Sequence, residues 1–345
     1  VKNERGDLSG AWVRHPVDSG KRSRHGGGAV VVAAALIVTV WLLGCAGPAP
    51  RPQGDPELLR LNDAARSVFD DGHPQRSAAL YYRALQRARL MDDRAAIGES
   101  AYSLAACLAR LDDLEQATSF LEEALAELAA CGRSSADAHL LQARIARREA
   151  RLDDAAACCR EVLALSEDDL TVAAKAEAHL IEAGLACERG DIDGARREFT
   201  TAQRLLSDAI NVHLQAEAAG VEGDIALLEG RYGTAAAAFD RAAAKLREAE
   251  RFEEMAGALA RAGRAFESAG ALHTAADRFY RAARADFARG AGTAALVLLE
   301  DAAIAVGQAS VGEAQGSEAD HTRVLAQRIV ALRAEIERSL HEKDR

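Results

Sequence analysis

One pattern restricts the fold of this chain more than any other. "GDIDGARREFTTA" begins at Gly190, "GRYGTAAAAFDRA" at Gly230 and "GALHTAADRFYRA" at Gly270. Each reads G-x4-A-x3-F-x2-A, and each starts 40 residues after the one before. Looser copies precede them: "GHPQRSAALYYRA" from Gly72, "DDLEQATSFLEEA" from Asp112 and "ARLDDAAACCREV" from Ala150. Seven residues ahead of each copy stands another small residue: Ala65, Ala105, Ala143, Ala183, Gly223 and Gly263. A chain repeating at this interval stacks copies of one supersecondary unit, because no single unit buries its apolar face alone.

The unit implied is a helix, a turn and a second helix. Apolar residues make up 49% of the 345-residue chain but aromatics only 4%, so alanine supplies much of the apolar content. Alanine combines high helix propensity with little volume, which favours helices in close approach. No proline occurs after Pro74, so nothing in the following 271 residues removes a helical donor by that route. The small residues of the two helices face each other, the large residue fills the gap towards the next pair, and the turn glycine admits a backbone state closed to most residues.

The order small residue, turn Gly, Ala, aromatic, Ala resembles the tetratricopeptide repeat. The resemblance implies an all-α fold, a right-handed superhelical solenoid of antiparallel helix pairs. It covers six units over residues 57–290. The family period is 34, and the period here is 40 apart from one step of 38, which implies longer helices. Residues 291–345 follow the array. There Leu325, Ile329, Leu332, Ile336 and Leu340 recur at helical spacing. Two readings fit that helix: a cap on the last repeat, or a coiled-coil or partner-binding helix.

The amino-terminal part has a different character. Lys21, Arg22 and Arg24 precede an apolar run from Ala29 to Leu43, interrupted only by Thr39. Its 15 residues fall short of the roughly 20 that a spanning helix needs. Charge, short apolar stretch and small-residue boundary match a secretory signal over residues 1–44. "LLGC", Leu42 to Cys45, resembles the lipobox of bacterial lipoproteins. That resemblance implies cleavage before Cys45, lipidation of its sulfur, and attachment to a membrane on the extracytoplasmic side. Ala46, in place of the aspartate that retains some Gram-negative lipoproteins at the inner membrane, favours the outer membrane in such an organism. The basic region begins late, so Val17 is an alternative first residue to Val1. Residues 45–56, with Pro48, Pro50, Pro52 and Pro56, read as a semi-extended tether.

The formal charge is −10. Residues 1–44 hold six of the 43 Lys/Arg and three of the 53 Asp/Glu; the remaining 37 and 50 give −13. Such a surface repels phosphate backbones and argues against nucleic acid as a partner. The H-E-x-x-H, G-x-S-x-G and G-x-x-x-x-G-K-[ST] motifs are absent from the sequence. His139 and His179 share one repeat register, too few ligands for a metal site. The sequence thus indicates no catalytic residue, metal or cofactor. Cys158 or Cys159 falls on a helix beside that of Cys187, so a disulfide and free core thiols are both open readings.

In tetratricopeptide repeats the first helices line a concave groove that holds protein or peptide partners. The 100° helical step places Arg66, Tyr102, Arg110, Arg144, Arg147, Arg148 and Arg264 about a quarter turn from the small residues. Glu177, Glu188, Glu217, Asp224 and Glu267 occupy the same face, which gives a basic amino-terminal half and an acidic remainder. The arginines could hold a carboxylate-bearing segment or form a solvated face offset by these acids. The expectation is a lipid-anchored cell-envelope scaffold or adaptor, with an architecture like that of lipoproteins serving envelope or secretion-complex assembly. The alternatives are a solenoid-bearing cell-wall-active enzyme, for which residues 291–345 are too few to form a catalytic domain, and a ligand-sensing binding module.

Overall fold

The computed structural model describes residues 55–166, 170–206, 211–312 and 317–343. Cys45, the signal segment and the tether up to Gly54 lie outside the described residues, as does most of the loop after Gly312. Twelve helices form six consecutive antiparallel pairs: α1 (Pro56–Asp70) with α2 (Pro74–Leu90), α3 (Arg94–Arg110) with α4 (Leu114–Ala130), α5 (Ala136–Arg148) with α6 (Leu152–Ala164), α7 (Val172–Glu188) with α8 (Ile192–Leu206), α9 (Val212–Leu228) with α10 (Tyr232–Glu248), and α11 (Phe252–Ser268) with α12 (Leu272–Ala288). α13 (Gly292–Gly312) and α14 (Ser317–Lys343) follow. The fold is an all-α repeat solenoid. Eight of the twelve paired helices have 17 residues; α5, which falls within the 38-residue step, and α6, which follows it, have 13.

Local chemistry starts and stops these helices. Asp55, Asp93, Asp113 and Thr171 each accept a hydrogen bond from the backbone N–H three residues on, and Pro56 opens α1 at a position that needs no donor. The stop is a Schellman turn, and it recurs between units as well as within them. Gly230 has φ +70°, and Arg231 N–H donates to Ala226 C=O at 2.8 Å. The equivalent residue between units is Asp92 or Glu250, at φ +54° and +56°, and within the second and third units it is Asp112 and Ala150, at φ +64° and +58°. The same turn therefore recurs at half-period intervals along much of the described chain, although only six of these ten positions carry glycine.

Between the helices of a pair, side-chain sizes compensate. A Cβ on Gly263 would lie 2.7 Å from Phe279 Cε1, and one on Gly223 would collide with the Phe239 ring. Both rings are fully buried. In the second unit the small residue is Ala105 and its counterpart Leu121; in the third they are Ala143 and Cys159, all with no exposed surface. In the fourth, Ala183 faces Phe199, and that phenylalanine is only partly buried. Gly with Phe and Ala with a smaller residue fill the interhelical gap to the density interiors require.

The apolar face of α14 is covered. Leu325, Ile329, Leu332 and Ile336 are buried with Leu299, Ala302 and Phe279 of α13 and α12. α13 is long and apolar enough over Gly292–Ser310 to cross a membrane, but it spends Ala295, Leu299, Ala302 and Ala305 in this cluster. The five described cysteines are free thiols. Cys159 belongs to the buried cluster of α5–α7 and Cys187 to that of α7–α9, so the disulfide reading does not hold.

Candidate functional site

The odd-numbered helices form the inner face of the curve, and one residue shows it. Arg144 on α5 pairs with Glu177 on α7 at 3.1 Å and also bonds Glu217 on α9, two units away. A side chain bridges alternate units only where the stack bends towards it.

Around this bridge lies a continuous polar network. Arg147 Nε donates to Glu188 Oε1 at 2.6 Å. Arg148 donates to Ala109 C=O at 2.7 Å and to Asp112 at 2.6 Å. Arg261 on α11 bonds Asp224 on α9 and stacks 4.1 Å from the centroid of Phe239, a cation–π contact. Glu254 accepts from Arg251, and the Glu254 carboxylate also approaches His213 at 3.9 Å. The basic and acidic halves are thus interlocked: the arginines of the third unit are answered by acids of the second, fourth and fifth.

Two adjoining cavities open here. The first, about 330 Å³, has an apolar floor including Ile181, Val221, Phe239 and Leu246 and a charged margin of Arg147, Glu217, Asp224, Glu254 and Arg261. The second, about 410 Å³, lies against Arg144, Arg147, Arg148, Glu188 and His213. Arg147, Ile181, Glu217 and Glu254 belong to both.

Burial tunes the charged groups. It raises the Glu177 carboxyl to about 7, with Glu217 and Asp137 adding repulsion that Arg144 only partly offsets. It lowers Arg261 to about 10, helped by the like charges of Arg147 and Arg264. It pushes the Tyr102 phenol up to about 12, reinforced by Asp137 and Glu177, and it lowers His213, so that imidazole is neutral at pH 7.

Of the residues marked by the sequence, Arg144, Arg147 and Arg148 come together at the cavities, and Tyr102 lies within the field of Arg144. Arg66, Arg110 and Arg264 line neither cavity. Arg66 stands beside the Tyr81 hydroxyl, Arg110 stacks 5.0 Å from the centroid of Phe69, and Arg264 is exposed. Sequence reasoning missed Arg261, His213 and Glu254. A signal for Arg261 does exist: an acid followed 36 to 38 residues later by arginine recurs as Asp112–Arg148, Asp153–Arg189, Asp224–Arg261 and Asp240–Arg278. His139 and His179 assemble no ligand set; His179 Nδ1 lies 2.8 Å from Glu198 Oε2. Among the described residues no group of three His, Cys, Asp or Glu could hold a metal ion.

No protein-family model matches the chain, and no curated protein is similar to it. Solved structures are similar. A Rap protein complexed with Competence and Sporulation Factor superposes with a TM-score of 0.57 at 16% identity, over 83% of this chain and 78% of that one. The apo form of RapI gives 0.53 at 11% identity, over 82% and 99%. A signal-transduction ATPase with a tetratricopeptide repeat sensor, from Pyrococcus horikoshii, gives 0.50 at 12% identity, over 77% of this chain and 44% of that one. The likeness is one of fold: this chain is a helical-repeat solenoid of the tetratricopeptide type.

Proposed function

We propose that this chain is a non-enzymatic scaffold or adaptor that holds a protein or peptide partner against α5, α7, α9 and α11, and that a lipid on Cys45 anchors it to a membrane outside the cytoplasm. The observation that carries the first part is the pair of adjoining cavities on the inner face, where an apolar floor meets a charged margin. Sites of this make-up anchor an apolar side chain and read the polar groups beside it. A similar solenoid, the Rap protein complexed with Competence and Sporulation Factor, supports the reading that such a fold accommodates a second molecule. The anchor rests on the sequence alone: Lys21, Arg22 and Arg24, the apolar run to Leu43, and "LLGC". An outer-membrane position rests on Ala46, and the seven residues Arg66, Tyr102, Arg110, Arg144, Arg147, Arg148 and Arg264 remain the proposed contact set, with the three arginines of α5 at its centre.

The test is a photo-activated cross-linker placed at Arg147 and, separately, at exposed Glu115 on α4, in cells fed an alkyne-bearing palmitate. The expected result is an adduct of defined mass from position 147 only, and palmitate label that disappears in Cys45→Ala. Adducts from position 115 alone would sink the inner-face reading. Label that persists in Cys45→Ala would sink the anchor.

A further inference from the structure

The charge of the partner segment can be inferred from one register of the repeat. The residue six positions before the small packing residue is Glu99 on α3, Asp137 on α5, Glu177 on α7, Glu217 on α9 and Gly257 on α11. Four acids thus occupy one register in successive units, and a glycine takes the fifth place. Arg144 bridges the third and fourth of these acids. Around the cavities the odd helices carry Asp137, Glu177, Glu188, Glu217, Asp224 and Glu254 against Arg144, Arg147, Arg148 and Arg261, with Arg251 just ahead of α11, an excess of one negative charge when all are ionised. Each of these arginines already has an acid. Glu217 Oε2 is buried and receives no hydrogen bond from the protein.

Where the carboxylate register ends, the first cavity, with its apolar floor, opens. Gly257 lines it, and a Cβ there would meet nothing within 4 Å. Gly220, on the facing helix, also presents bare backbone; its Cβ would stand 3.8 Å from Arg261 Nη1.

We propose that this cavity takes a basic peptide segment, one apolar side chain entering over Phe239 and Leu246 while a neighbouring lysine or arginine faces Glu217 and Glu177. The proposal rests on the inner-face reading above and adds the chemistry of the occupant. A guest carboxylate would face the excess of acid and displace an existing partner from each arginine. A guest cation would relieve the repulsion among Asp137, Glu177 and Glu217.

The test uses the full-length chain in non-ionic detergent and two fluorescein-labelled octapeptides of alternating residues, Lys/Leu and Glu/Leu, read by anisotropy. The expected result is that the Lys/Leu peptide binds at least tenfold tighter. Glu217→Gln weakens it about fivefold, Gly257→Leu weakens it tenfold or more, Gly257→Ala weakens it less, and Glu115→Gln leaves it unchanged. Circular dichroism and melting temperature confirm that each variant is folded; the graded alanine variant serves if leucine is not tolerated. The proposal is overturned if neither peptide binds, if the Glu/Leu peptide binds as well, or if Lys/Leu binding ignores both position-257 variants, which would mark diffuse attraction to an acidic protein. Glu/Leu binding that Gly257→Leu abolishes would overturn the charge assignment while leaving the inner-face reading standing.

Discussion

Arg144 on α5 bonds Glu217 on α9, skipping a unit of the solenoid, and it holds Glu177 of the skipped unit at 3.1 Å. Helical-repeat stacks are usually stabilised by contacts between nearest neighbours. A bond between alternate units adds a term that depends on curvature. The side chains are only partly exposed, Arg144 at 35% and Glu217 at 28%, so the pair falls between a surface bridge and a buried one. A double-mutant cycle with Arg144→Met and Glu217→Gln should give a coupling of about 1 kcal/mol. Small-angle scattering should show a larger radius of gyration for either single variant. Zero coupling with unchanged scattering would mean that the bridge has no part in setting the curve.

Glu177 gives a pH dependence of definite sign. Its folded carboxyl titrates near 7 and its unfolded one near 4.5, because burial and the charges of Glu217 and Asp137 outweigh Arg144. Folding therefore takes up a proton between these values, and stability falls as pH rises through the window. The contribution lost by pH 8 is on the order of 2–3 kcal/mol. His213, whose pKa is lowered by burial, acts in the opposite direction below about 6.5. Tyr102, the remaining neighbour, titrates too high to contribute. Comparing Glu177→Gln with the parent isolates the effect: the parent should lose stability relative to the variant from pH 5 to pH 8 in urea titrations. Parallel pH profiles would refute it.

The helix pairing was legible because it is written in side-chain volume. Gly223, Gly263, Phe239 and Phe279 each appear at the expected position and are buried together. The turns between units at Asp92 and Glu250 were not legible, since both are ordinary helix-compatible residues, and only the geometry of the stack drives them to positive φ. The ion pairs were legible as a face but not as partners. Which arginine meets which acid depends on curvature, so residues 73 apart, Arg144 and Glu217, meet while Arg264 stays outside. Arg261, two positions before Gly263, escaped notice because a quarter-turn rule does not select the position that stacks on Phe239.

The Gly263–Phe279 contact sets two opposing effects against each other. Alanine in a helix interior is favoured over glycine by about 0.5–1 kcal/mol. A Cβ 2.7 Å from a fully buried ring is overpacking, which costs about 1–3 kcal/mol. Gly263→Ala should therefore lower stability by about 1 kcal/mol, and Phe279→Leu should lower it through lost packing. The double variant should recover part of the loss, because Ala105 with Leu121 already fills this gap in the second unit. Denaturant unfolding of all three checks it. Stabilisation by Gly263→Ala alone would mean the ring yields easily.

Ala150 and Glu250 stand in the left-handed region that glycine occupies at Gly190, Gly230 and Gly270. An L-residue there bears about 1–2 kcal/mol of steric cost. Glycine removes it and loses about 0.5–1 kcal/mol to the entropy of the unfolded chain. Ala150→Gly and Glu250→Gly should each stabilise by about 0.5–1 kcal/mol, and, being 100 residues apart, they should add. Ala244→Gly, at an exposed helical position of α10, should instead destabilise by about 1 kcal/mol. Opposite signs for the same chemical change separate turn geometry from helix propensity. If all three variants lost stability alike, the positive φ at Ala150 and Glu250 would not describe the protein in solution.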